Sequence, residues 1–112
     1  MSAGKHNIII DQGSDFAIEM VIKENSIAKD ITGYSVRGEI RTAKGAATVT
    51  ATFVGTVPNP SLGTLKIELS NSITKDIAAG VYWYDIEIFT AGDALVTRIL
   101  EGTATVTGEV TK

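Results

Sequence analysis

The sequence predicts an all-β domain, an antiparallel β-sandwich of about seven strands. Three observations carry that prediction. Ile, Val and Thr make up 37 of the 112 residues, and β-branched side chains suit the pleated, half-buried surface of a strand. Apolar and polar residues alternate in short runs, the period of a sheet with one face in the core. Gly, Asn, Asp and Pro gather between those runs, where turns need them.

Residues 6–11, HNIIID, form the first expected strand. DQGSD then turns the chain, with Gly13 free to adopt a positive φ. In the second strand Phe16, Ile18, Met20 and Ile22 alternate with Ala17, Glu19, Val21 and Lys23. ENSIAKD is a polar loop around Ile27. Residues 34–42 make the third strand, with Tyr34, Val36, Gly38 and Ile40 on one face and Ser35, Arg37, Glu39 and Arg41 on the other. A hairpin turn at 43–46 leads to a fourth strand over 48–53. PNPSLG follows as a loop, because Pro58 and Pro60 cannot donate to a ladder.

Leu65, Ile67 and Leu69 mark the fifth strand. SNSITKDIAAG loses the period of two and predicts a single helical turn, capped by Ser70 or Ser72 and ended by Gly80. Residues 81–90 form the sixth strand, with Tyr82, Tyr84, Ile86 and Ile88 inward and Val81, Trp83, Asp85, Glu87 and Phe89 outward. After a turn at 91–94, residues 95–107 form the seventh. Its inward set shifts near Glu101, which predicts a β-bulge at Gly102. The expected core is Phe16, Ile18, Met20, Ile22, Val36, Ile40, Phe53, Leu65, Ile67, Tyr82, Tyr84, Ile86 and Ile88.

The length suits one domain over residues 1–112, with short flexible arms, MSAGK and TGEVTK, at its ends. The net charge is −3, and the three Arg and seven Lys are spread along the chain. That distribution offers no basic footprint for nucleic acid or anionic lipid. Cysteine is absent, which excludes a disulfide framework and a thiolate metal site. No apolar run approaches the ~20 residues of a membrane span, and the start lacks the apolar stretch of a signal peptide. Folding in a cytosol is the expectation.

No residue is assigned a catalytic, cofactor-binding or metal-binding role. His6 is the one histidine, and Asp11 does not orient it toward a nucleophile. Asp11 and Asp15 flank Gly13, but two carboxylates fall short of the six to eight oxygens calcium takes. Asp85 and Glu87 share a strand face, as do Arg37, Glu39 and Arg41. That pattern fits cross-strand pairing on a solvated sheet. No phosphate-binding glycine loop or nucleophile elbow occurs. Trp83 and Phe89 point away from the tyrosines of their strand. Either they form an exposed surface for a partner or a sugar ring, or a loop partly buries that face.

The segment AAGVYWYDIEI resembles the corner before strand F of immunoglobulin-like domains, with Gly80 and Tyr82 in the matching places. The resemblance implies that the Tyr82 hydroxyl bonds back to main chain in the stretch 72–78. Tyr84 stands where antibody domains carry a cysteine, so the domain lies outside the antibody type. Nearly the whole chain is similar to small immunoglobulin-like structural proteins of tailed phages, including the N-terminal domain of baseplate upper proteins. The motifs are Asp11-x-Gly13-x-Asp15, Asp30 to Tyr34, Ile40-Arg41, Gly80-x-Tyr82-x-Tyr84-Asp85 and Arg98 to Gly102, in that order.

That similarity implies a non-enzymatic, multicopy virion protein without cofactor. It would be bound to the capsid as decoration or cement, or to the neck, tail or baseplate. Its partners would be other virion proteins and copies of itself, and it would assemble in the bacterial host cytoplasm. The long fibre-forming region of baseplate upper proteins has no counterpart here, which favours an accessory protein. A carbohydrate- or host-surface-binding module, with a glycan against Trp83 and Phe89, is the alternative. The expected interface residues are Ser2, His6 and Ile8 of the N-terminal arm, Trp83 and Phe89 of the sheet face, and Gly108 and Lys112 of the tail.

Overall fold

In chain order the strands of the computed structural model, which describes residues 4–110, are β1 (Gly4–Lys5), β2 (Ile8–Asp11), β3 (Phe16–Val21), β4 (Lys23–Glu24), β5 (Ile27–Ala28), β6 (Ser35–Arg41), β7 (Ala51–Thr52), β8 (Val54–Asn59), β9 (Thr64–Leu69), β10 (Gly80–Phe89) and β11 (Val96–Thr107). One helical turn, α1 (Asn71–Thr74), joins β9 to β10. The larger sheet has the order β1-β11-β10-β6-β7, with β2 continuing β1 along β11. The smaller sheet is β3-β9-β8. The domain is an all-β, immunoglobulin-like sandwich. Its main ladders are antiparallel, except that β1 and β2 run parallel to β11.

The inward residues of both sheets form one core around Ile10, Ile40, Leu65, Ile67, Ile86 and Ile88. The expected core is buried except for Phe16, Ile18 and Met20, which are only half-buried. The cause is position: β3 is an edge strand, and among the described residues no strand pairs with its outer side. Tyr84 is buried and packs edge-on against Phe53 with ring centroids 6.2 Å apart.

The Tyr82 hydroxyl donates to the Ala78 carbonyl at 2.6 Å, so the tyrosine corner forms as the sequence predicts. The helical turn is shorter than expected: α1 ends at Thr74, and Gly80 opens β10 instead of closing the helix. Ser70 occupies the N-cap position without a capping bond of its own. Asp15 does that work from the other side, accepting from the Asn71 backbone N–H at 2.7 Å and its amide at 2.9 Å. Asp11 accepts from the Thr107 hydroxyl at 2.8 Å. Gly13 takes a φ of 84°, as its turn requires, and its N–H donates to Thr74. The DQGSD carboxylates are therefore bound into the chain itself.

Four expectations change. The fourth strand over 48–53 is instead the brief β7, after which the chain crosses at buried Phe53 to pair in the other sheet as β8. Pro58 is tolerated in β8 because β8 is an edge and its register slips between Thr56 and Asn59. The loop around Ile27 is a small β4–β5 hairpin, turned by Asn25 and Ser26 at positive φ. The bulge is not at Gly102. Ile86 faces Leu100 while Glu87 faces Arg98, which leaves Ile99 as the extra residue.

Gly102 answers a different need. A Cβ there would stand 2.2 Å from the His6 carbonyl oxygen, so glycine lets the N-terminal arm run close beside β11 between β1 and β2. The arm is a strand from Gly4 onward, paired with Leu100 and Glu101, and not a loose tail over that stretch.

Candidate interaction face

The outer face of the larger sheet carries a dense set of ionisable residues. Register sets them in rows across β11, β10 and β6. Thr103, Trp83 and Arg41 form one row, and Glu101, Asp85 and Glu39 the next. Arg98, Glu87 and Arg37 form the third, and Val96, Phe89 and Ser35 the last. All three arginines of the chain, at 37, 41 and 98, are therefore on one face. The bulge at Ile99 makes this possible. Arg98 and Glu101 are three apart and would otherwise point to opposite faces, since side chains alternate along a strand.

The middle row sets three carboxylates directly beside one another, an arrangement that costs energy unless cations offset it. Arg98 approaches Asp85 at 3.5 Å and Glu101 at 3.8 Å, Lys44 approaches Glu101 at 3.5 Å, and Arg41 holds Glu39 at 2.8 Å. Compensation at Asp85 is incomplete. Partial burial raises its pKa above the ordinary carboxylate value; Arg98 opposes that rise, while Glu87, Glu39 and Glu101 add to it. Arg37 binds Glu87 and reaches Asp93 in the turn before β11 at 3.2 Å. Its partners raise its own pKa, the Glu87 hydrogen bond foremost.

Trp83 is 38% exposed, and the Lys44 ammonium sits 5.3 Å from its ring. Arg41 donates to the Ala46 carbonyl and so draws the loop after β6 toward the indole. The result is a shallow hollow of about 210 Å³ lined by Trp83, Asp85, Glu39, Arg41, Lys44 and Arg98. Phe89 lies at the far end of the face, half-buried beneath the Arg37 guanidinium at 4.2 Å. Trp83 and Phe89 share a face, yet the two charged rows separate them, so they form no continuous aromatic platform.

The remaining expected residues scatter along one edge. His6 is exposed, its N–H bonded to the Glu101 carbonyl at 2.9 Å. Ile8 is 4% exposed and turned into the core, whereas Ile9 beside it is 66% exposed. Gly108 is exposed just beyond β11. Ser2 and Lys112 lie outside the described residues. Sequence reasoning noted the alternating charges of β6 and β10. It missed that Arg98, Glu101 and Lys44 join them, because that depends on cross-strand register and on the position of the bulge.

No family model matches the chain, and no curated protein matches it in sequence. Among solved structures it is similar to the periplasmic chaperone SfaE, at 16% identity and a TM-score of 0.50, over 95% of this chain and 56% of that one. It also aligns with InlP of Listeria monocytogenes at 16% identity and a TM-score of 0.48, over 94% of this chain and 28% of that one. A family 123 glycoside hydrolase from Clostridium perfringens aligns at 13% identity and a TM-score of 0.45, over 96% of this chain and 24% of that one. The chain thus spans no more than 56% of these proteins' length. At such identities the likeness concerns the fold alone: this chain has the architecture of an immunoglobulin-like β-sandwich.

Proposed function

We propose that the protein is a non-enzymatic structural component of a tailed-phage virion, a multicopy accessory part whose docking surface is the outer face of the larger sheet. The observation that carries the docking surface is the concentration there of all three arginines and the one tryptophan. Arg and Trp are the residue types in which binding energy concentrates at protein interfaces. Ion pairs as exposed as these add little to the stability of a free domain, but they would gain strength when a partner excludes water. The virion assignment is supported by the ordered motifs from Asp11 to Gly102 that resemble small immunoglobulin-like phage proteins.

Density-gradient sedimentation of a phage-producing lysate, with peptide mass analysis of the particle band, tests the assignment. The chain is expected in the particle band in many copies. Recovery only at the top of the gradient, with particles free of it, overturns the reading. In particles reconstituted with variants, Trp83→Ala and Arg98→Glu should lower occupancy without changing the circular dichroism spectrum.

A second reading, a glycan-binding module, is favoured by one feature: the hollow beside Trp83 has carboxylates from Glu39 and Asp85 on its rim. A sugar ring stacked on the indole could donate hydroxyls to them. Titration of Trp83 fluorescence with bacterial surface oligosaccharides tests this, and an unchanged spectrum at millimolar sugar dismisses it.

A further inference from the structure

The sandwich has four sheet edges, and three of them carry features that discourage pairing. β7 is only two residues long, β8 carries Pro58 and a slipped register, and the β1–β2 edge is interrupted at His6 and Asn7. Natural sheets use short strands, prolines and irregularities to block edge-to-edge association. The fourth edge, β3, has six residues in unbroken register with β9 and no proline.

Its backbone phase can be read from the ladder. The Ile22 N–H donates to the Gly63 carbonyl at 2.9 Å, in line with the pairing of Ile18 and Ile67. Even-numbered residues therefore turn their backbone groups toward β9. Ala17, Glu19 and Val21 turn theirs to the open side. Beneath that edge lies an apolar groove of about 490 Å³, lined by Ile18, Met20, Ile22, Ile99 and Leu100 with His6 at its rim. Phe16, Ile18 and Met20, which alternation assigns to the core, are left half-buried beside it.

We infer that two copies of this chain pair through β3, antiparallel, about a two-fold axis passing through Ile18. Self-complementarity selects both the occupant and the register. Antiparallel self-pairing keeps inward residues opposite inward ones only when the axis passes through a residue. An axis at Glu19 sets two carboxylates directly opposite, which is unfavourable. An axis at Ile18 sets Ile18 against Ile18, Phe16 against Met20, and Ala17 against Glu19. It also brings Lys23 of one copy diagonal to Asp15 of the other. The residues left half-buried by the monomer then close each other's groove. This pairing does not depend on the virion reading.

Sedimentation equilibrium of the full chain tests the pairing. A monomer–dimer equilibrium is expected, and a monomer throughout, up to about 1 mM, overturns it. Glu19→Pro removes an outward donor at a position where an edge strand accepts proline, and it should abolish the dimer. Should that variant lose its circular dichroism spectrum, the Ala17 substitutions decide, because Ala17 is exposed. Ala17→Lys should tighten the dimer and Ala17→Glu weaken it, each by roughly two- to thirtyfold for two symmetric cross-strand pairs. A dimer indifferent to these changes uses another surface. The chain has no cysteine of its own, so Ile18→Cys should form an oxidised dimer readily, since directly opposed Cα atoms there suit a disulfide. Faster cross-linking of Glu19→Cys overturns the register.

Discussion

The Tyr84 hydroxyl donates a hydrogen bond to the main-chain carbonyl of His6, tying the middle of β10 to the N-terminal arm between β1 and β2, on the far side of β11. Gly102 lies directly opposite Tyr84, and its missing side chain leaves room for the two groups to meet. Burial pushes the Tyr84 phenol from 10 up to about 12. The folded state therefore keeps this proton at pH values where the unfolded state releases it. The resulting stability is fully present below pH 10 and is lost as pH rises through about 12. Urea midpoints measured from pH 9 to 12 should fall, and Tyr84→Phe should flatten part of that fall. An identical slope in the variant would contradict the assignment.

Gly102→Ala should displace the arm, because the new methyl would overlap the His6 carbonyl. Forced overpacking of this kind costs about 1–3 kcal/mol. The readout is local: hydrogen exchange should quicken at residues 8–11 and stay unchanged in β3, β9 and β8.

Tyr82→Phe removes the bond to Ala78 and nothing else. It should lower unfolding stability by about 1 kcal/mol, the usual net worth of such a bond. Thermal melts of the two proteins settle the point, and equal midpoints would deny the corner any energetic role.

Asp85 ionises with difficulty because it is partly buried between other carboxylates. Its raised pKa means that stability falls as pH climbs through the range just above the ordinary carboxylate value. Asp85→Asn should therefore raise the melting temperature at pH 7 and lose that advantage near pH 3. A variant less stable at pH 7 would show that the Arg98 ion pair outweighs burial.

Strong alternation made much of this fold legible. The run from Val81 to Phe89 places Tyr82, Tyr84, Ile86 and Ile88 in the core, because a half-buried strand permits no other phase. Pro58 misled in the opposite direction: it signals a break, yet an edge strand has no partner waiting for its missing N–H. Gly102 likewise suggested a bulge, when its smallness serves the close approach of a neighbouring parallel arm that sequence cannot display. The charged face was half visible. Arg37, Glu39 and Arg41 alternate in plain view, but Lys44 reaches Glu101 across 57 residues of chain, and Arg98 joins them only through the register and bulge of β11 against β10.

The parallel pairing of β2 with β11 has a consequence for biosynthesis. Asp11 meets Thr107 across 96 positions of the chain, so the first strand waits for the last before it gains a neighbour. Until residues 104–107 leave the ribosome, Ile8 and Ile10 have no cover on that side. Closure is therefore expected only after residues 104–107 have emerged, on the millisecond-to-second scale of sandwiches dominated by distant contacts. A nascent or prematurely stopped chain would display a sticky run of three isoleucines, and would depend on chaperones until its final strand arrives.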